Sequence, residues 1–223
     1  MTVIAIAPAH DSPGKRDSSG AFVPEARAFV KLHGGRVLLF DNRREPKDRF
    51  VELIDVLAKM PRVLDDKGAV VPPHAVAFFC HGHKNGLQVG ATLRNAHVLA
   101  AALRDIGAAS VPLYACDAAR DNDADRSDDS EPGPGGAGGF ASTLSAALPG
   151  VVIDAHTTTA HTTRNPHVRR FMNGGDGAWL VEPGSALWRT WRDALRDDRD
   201  FRLGFPLMSS EAIAAYLSAR RAA

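Results

Sequence analysis

Disulfide cross-linking has little to work with in this chain. Only two cysteines, Cys80 and Cys116, occur in 223 residues, so a disulfide framework is excluded and a reducing, cytoplasmic compartment is the expectation. Charge of one sign is also missing. The 27 basic side chains nearly balance the 26 acidic ones, leaving a net charge of +1. Neither a nucleic-acid footprint nor a membrane-surface footprint shows at the level of totals. No apolar run approaches the roughly 18–20 residues of a membrane span. Thr2 to Ala9 is short, lacks a basic flank, and reads as a first strand rather than a signal peptide. There is no internal repeat. Gly14-Lys15 resembles part of a phosphate loop, but the first glycine and the following Ser or Thr are absent, so no cofactor is expected.

What remains is ordinary for a globular protein: 44% apolar and 24% charged residues. That supports one domain over 1–223 with a core of useful size. Short continuous apolar runs, Val3 to Ala7, Val37 to Phe40, Ala75 to Cys80, Val111 to Ala115 and Val151 to Asp154, have the length and composition of strands buried on both faces. Between them lie helical patterns: Phe22 to Leu32, stopped by Gly34-Gly35, then Pro46 to Met60, Asn95 to Ile106 and Phe140 to Leu148. Alternation of this kind predicts an α/β fold with a mostly parallel sheet between helix layers. Lys84-Asn85-Gly86 reads as a tight turn, with Leu87 to Val89 as a small hairpin arm. Ala178 to Val181 is a sixth strand by pattern. Ser185 and Ser209 or Ser210 stand where two further helices would be capped, and Trp188 and Trp191 read as packing residues of the first of these. Residues 117–139 differ from the rest. Asp117 to Glu131 carries seven acids against two arginines, and Gly and Pro dominate Pro132 to Gly139, which predicts a long mobile loop.

Two of the strands stop on chemistry. Phe78-Phe79-Cys80 runs into His81-Gly82-His83, and Leu113-Tyr114-Ala115 runs into Cys116. In a parallel α/β sheet the functional crevice lies beyond the carboxyl ends of the strands. An imidazole and a thiol brought together there suit nucleophilic attack, with His81 taking the thiol proton and Cys116 attacking. The amides of Gly82 and Cys116 are the candidate oxyanion donors. Gly82 is expected to be glycine so that substrate can approach. Cys80 reads as a small buried hydrophobe.

At these residues the sequence resembles the caspase-like cysteine peptidases of clan CD, a group with caspases, metacaspases, legumains and gingipains. The resemblance rests on the strand ending His81-Gly82 and the later strand ending Ala115-Cys116, and extends over about residues 2 to 155. It implies a three-layer α/β/α sandwich and a cysteine endopeptidase with Cys116 as nucleophile and His81 as general base or acid. Peptide or protein would be the substrate. Tyr114 stands where metacaspases tend to carry an acid, and Asp117 where caspases carry Arg, so caspase-type substrate choice does not carry over. Arg164, on the loop after the strand that follows the Cys, is by this resemblance a substrate-binding candidate, with Asp117 and His83 beside it. The resemblance also implies a linker open to self-cleavage, at residues 117–139, and a possible homodimer.

Two other functional classes fit some of the same residues. One is an inactive caspase-fold module that only binds partners. The other is a metal-dependent hydrolase built on His156, His161 and His167, with His10, although their spacings match no common zinc motif. His83 is a reserve base. Asp121 to Asp125 resembles the opening of a calcium loop, but Arg126 and Pro132 occupy the positions that need Gly and Glu.

Overall fold

Each apolar run becomes a strand of one sheet because the sequence beside it folds into a helix long enough to cross back over a face. The computed structural model describes residues 2–60, 63–64, 70–71, 73–120, 136–159 and 163–222. In chain order they form β1 (Val3–Pro8), α1 (Val23–His33), β2 (Gly35–Phe40), α2 (Pro46–Ala58), β3 (Val63–Leu64), β4 (Val70–Val71), β5 (Ala75–Phe79), β6 (Gly82–His83), β7 (Gly86–Leu87), α3 (Ala96–Asp105) and β8 (Ser110–Tyr114). Then follow α4 (Phe140–Ala147), β9 (Val152–His156), β10 (Val168–Phe171), β11 (Ala178–Trp179), α5 (Trp188–Asp197), α6 (Arg199–Gly204) and α7 (Ser210–Ala222). Seven strands make the central sheet in the order β11-β10-β9-β8-β5-β1-β2. The five from β2 to β9 are parallel, and β10 and β11 add an antiparallel flank. The short pairs β3–β4 and β6–β7 are separate antiparallel ribbons. Strand order reverses between β1 and β5, the switch point at which such sheets open a crevice at their carboxyl ends.

Side chains alternate across the sheet and divide the core into two layers. Ile4, Ile6, Val76, Phe78, Cys80, Val111, Leu113 and Ala115 point to one face, where Leu53 and Leu57 of α2, Leu99 and Leu103 of α3, and Leu144 of α4 cover them. Val3, Ala5, Ala7, Ala75, Ala77, Phe79 and Tyr114 point to the other, under Ala26 and Phe29 of α1 and Leu203 of α6. A third cluster, with Trp191, Phe201, Phe205 and Leu217, packs the last helices together and onto Val168. The architecture is an α/β/α sandwich with a mostly parallel sheet, as the alternation of the sequence predicts. Among the described residues no helix is long and apolar enough to cross a membrane.

The details differ in places. No strand is expected at β10, whose middle residues are Arg169 and Arg170. Arg170 is satisfied by a bidentate pair with Asp154, directly opposite on β9, at 2.8 Å to each oxygen. Arg169 lies over the ring of Trp179 at 4.2 Å. The strand expected over Ala178 to Val181 keeps only its first two residues in β11. Ser209 caps α7 as expected, accepting the Ala212 N–H at 3.2 Å. Ser185 does not cap α5, which begins at Trp188 without a side-chain cap. The loop expected over His10 to Gly20 ends early, in a π-helical turn from Ser18 to Phe22 that runs directly into α1.

Candidate active site

β5 and β8 are hydrogen-bonded neighbours with Phe79 opposite Tyr114. Those two rings stack at 4.5 Å on the α1 side of the sheet. His81 lies two residues past Phe79 and meets Phe22 on the α1 side, and Cys116 lies two residues past Tyr114. Cys80 and Ala115, one residue earlier, belong to the opposite layer. The strand ends also touch. A Cβ on Gly82 would stand 2.6 Å from the Cys116 carbonyl oxygen and 2.7 Å from the Ala115 Cβ. Gly82 is therefore required by the approach of the two strand ends, rather than by room for a substrate.

His81 is held from several sides. Its carbonyl accepts the Gln88 N–H at 2.8 Å and its amide donates to the Gln88 side chain at 3.3 Å. Arg49 of α2 in turn donates to the Gln88 carbonyl. With 81 opposite 88 and 83 opposite 86 as the bonded pairs, Gly82 is the non-bonded member of the β6–β7 hairpin, and its N–H points away from the partner arm. Phe22 meets the imidazole edge-on at 4.9 Å. Asp17, from the loop after β1, lies 2.5 Å from Nε2. The Asp17 carboxylate also accepts the Ser12 N–H at 2.8 Å, the Ser12 hydroxyl at 2.6 Å and the Ser18 N–H at 2.9 Å. Burial alone would raise its pKa, but the hydrogen bonds from Ser12, His81 and Ser18 together hold the carboxyl well below the usual range.

Cys116 is partly exposed at the start of a tight turn, whereas Cys80 is buried and its thiol is pushed up to about 12, chiefly by burial. Asp117 takes φ +55, the left-handed region that Asp tolerates better than most residues. The turn is pinned to the next strand: the Ala119 N–H donates to the His156 carbonyl at 2.9 Å. The loop that follows departs and returns at one place. Ala141 N–H donates to the Ala118 carbonyl at 2.8 Å, Phe140 N–H to the Lys84 carbonyl at 2.9 Å, and Gly139 packs so closely on Arg120 that a Cβ would meet its carbonyl oxygen at 2.0 Å. The calcium-like stretch Asp121 to Asp125 lies outside the described residues.

No family model matches this chain, and comparison with curated proteins and with solved structures finds no match. The chemistry is therefore read from the residues themselves.

The remaining candidates scatter. The Asp117 carboxylate accepts the Thr159 hydroxyl at 3.0 Å and faces Arg120 at 3.9 Å, so it is turned to the protein. His83 is exposed, and its Nδ1 accepts the Asn85 N–H at 3.2 Å within the hairpin turn. Arg164 is exposed on the loop from β9 to β10, next to Thr163, which is buried against Glu25 and Arg202. The histidines of the metal reading have separate partners. His10 pairs with Asp41 at 3.3 Å, and His167 lies 3.2 Å from the Thr158 hydroxyl and packs on Trp188. His156 is buried, its pKa lowered to about 4, mainly by burial, which the Ala115 carbonyl beside its ring partly offsets. His161 lies outside the described residues, and no group of three metal-ligating side chains is present among those described. Sequence reasoning missed Asp17 and the burial of His156. A cluster of Ser and Asp just before a helix was a visible signal for the first. Nothing in the Thr- and His-rich stretch distinguished His156 from the other histidines there.

Proposed function

We propose that the protein is a cysteine endopeptidase working through His81 and Cys116. The contact of the two strand ends supports this reading: Gly82, next to His81, packs against the Cys116 carbonyl, and Cys116 is partly exposed. The His81 imidazole takes the proton of the Cys116 thiol as Sγ attacks the scissile carbonyl carbon. The resulting oxyanion accepts hydrogen bonds from the amides of Gly82 and Cys116. Collapse breaks the C–N bond, and the imidazolium gives its proton to the departing amine. Water then attacks the thioester carbon, surrenders a proton to His81, and the second product leaves as the Cys116 thiol is restored. The resemblance to caspase-like peptidases supports peptide or protein as the substrate class, with Arg164 the side chain available for substrate contact. The test is a thiol-directed peptidyl electrophile. Wild type should be labelled at Cys116, and Cys116→Ala should not be labelled. Equal labelling of both proteins, or labelling confined to Cys80, would overturn the reading and leave an interaction module in its place.

A further inference from the structure

The loop after β1 and the end of β5 meet across the switch point of the sheet, and the groups that meet there are Asp17 and His81. We infer that Asp17 is a positioning residue of the proposed peptidase: it fixes His81 in the tautomer protonated at Nε2, so that Nδ1 is the atom that exchanges a proton with Cys116. This rests on the peptidase reading for its purpose, but not for its geometry. Four donors converge on one carboxylate: the Ser12 and Ser18 amides on Oδ1, and the Ser12 hydroxyl and His81 Nε2 on Oδ2. A carboxylate so placed is ionised and only accepts, so at 2.5 Å the proton between it and His81 belongs to Nε2. A neutral imidazole has one donor and one acceptor, and its acceptor is then Nδ1. Phe22, edge-on at 4.9 Å, blocks rotation of the ring out of this plane. Asp17 has only 11% of its side chain exposed against 44% for His81, so the anchored acid is covered while the imidazole it holds is open to solvent. When Nδ1 takes the thiol proton, the imidazolium forms against an anion already in place, and no group has to reorganise. The segment from Ser12 to Ser18, which has no periodicity of its own, thereby becomes part of the active site.

The test follows the proton. Long-range 1H–15N spectra of histidine-labelled wild type should show His81 protonated at Nε2. In Asp17→Asn the two backbone amides keep the carbonyl oxygen at the Oδ1 position, so the NH2 group takes the Oδ2 position and donates to Nε2. The proton then moves to Nδ1, the wrong nitrogen for a base. Alkylation of Cys116 by iodoacetamide at pH 7 should slow about tenfold or more. On a peptide substrate kcat should fall by about two to four orders of magnitude with KM little changed, and Asp17→Glu should restore part of it. Protonation of wild-type His81 at Nδ1 overturns the inference, whether or not the variants fold. So does an Asp17→Asn protein that keeps the Nε2 proton and alkylates at the wild-type rate. The tautomer is read without turnover. A peptidyl electrophile that fails to label Cys116 therefore refutes the peptidase and leaves the positioning of His81 standing.

Discussion

At the scale of single residues, the two cysteines differ in burial: Cys80 is buried and Cys116 is partly exposed. Cys80 and His81 are adjacent in sequence yet face opposite layers: Cys80 packs in the core toward α2 and α3, and His81 meets Phe22 on the α1 side. Cys116 lies two residues past Tyr114, as His81 lies two past Phe79, and the register pairs Phe79 with Tyr114. Gly82 reports how tight the junction is. Gly82→Ala would press a methyl group on a backbone oxygen at 2.6 Å and on the Ala115 side chain at 2.7 Å, and neither is a flexible tip that swings aside. The strand ends must part. We expect a loss of about 1–3 kcal/mol in stability, read from urea midpoints, together with loss of Cys116 labelling by the peptidyl electrophile. A Gly82→Ala protein with wild-type midpoint and labelling would mean that the two ends are not in contact in solution.

At the scale of elements, the flank formed by β9 and β10 depends on one pair. Arg170 and Asp154 stand opposite each other, with the carboxylate only 3% exposed. Removing the arginine leaves a buried, unpaired charge, which costs about 3–5 kcal/mol. Burial already raises the Asp154 pKa while Arg170 pulls it down, so in Arg170→Met it rises further. A carboxyl whose folded pKa lies above its unfolded value binds protons more readily in the native state, and stability falls as pH rises through that window. Urea midpoints should show Arg170→Met falling further behind wild type from pH 4 to pH 7, and Asp154→Asn added to it should remove the pH dependence. The same pair explains what was legible in the sequence. β1, β5 and β8 are apolar on both faces and announce themselves as runs, and the stops of β5 and β8 just before His81 and Cys116 marked those two as candidates. β10 hides because its arginines are satisfied by residues distant in the chain. Asp17 hides for a similar reason: its partner His81 is brought to it by sheet order, which reverses at the switch point, and local spacing carries no trace of that. α6 was invisible because it is a short helix started by the Asp198 side chain, which accepts the Phe201 N–H at 2.9 Å.

At the scale of the whole molecule, the turn that begins at Cys116 is tied to global stability through a histidine whose pKa is lowered by burial. His156 ends β9 fully inside the protein, and its carbonyl holds the Ala119 amide of the turn that begins at Cys116. Burial lowers its pKa from 6.5 to about 4. Between those values the unfolded chain takes up a proton that the native state refuses, so stability rises with pH across the window and is lost as pH falls from 6.5 toward 4. One such group is worth about 3 kcal/mol over that span. His167, also lowered by burial and close enough to disfavour a second cation, adds in the same direction, whereas the loss from Asp17 begins only below 3.8. His156→Phe removes the titrating ring and keeps an aromatic of similar size in its place. The difference in urea midpoint between wild type and His156→Phe should therefore favour wild type at pH 7.5 and shrink or reverse at pH 4.5. Parallel pH profiles for the two proteins would mean that His156 takes up its proton in the fold as readily as in the unfolded chain.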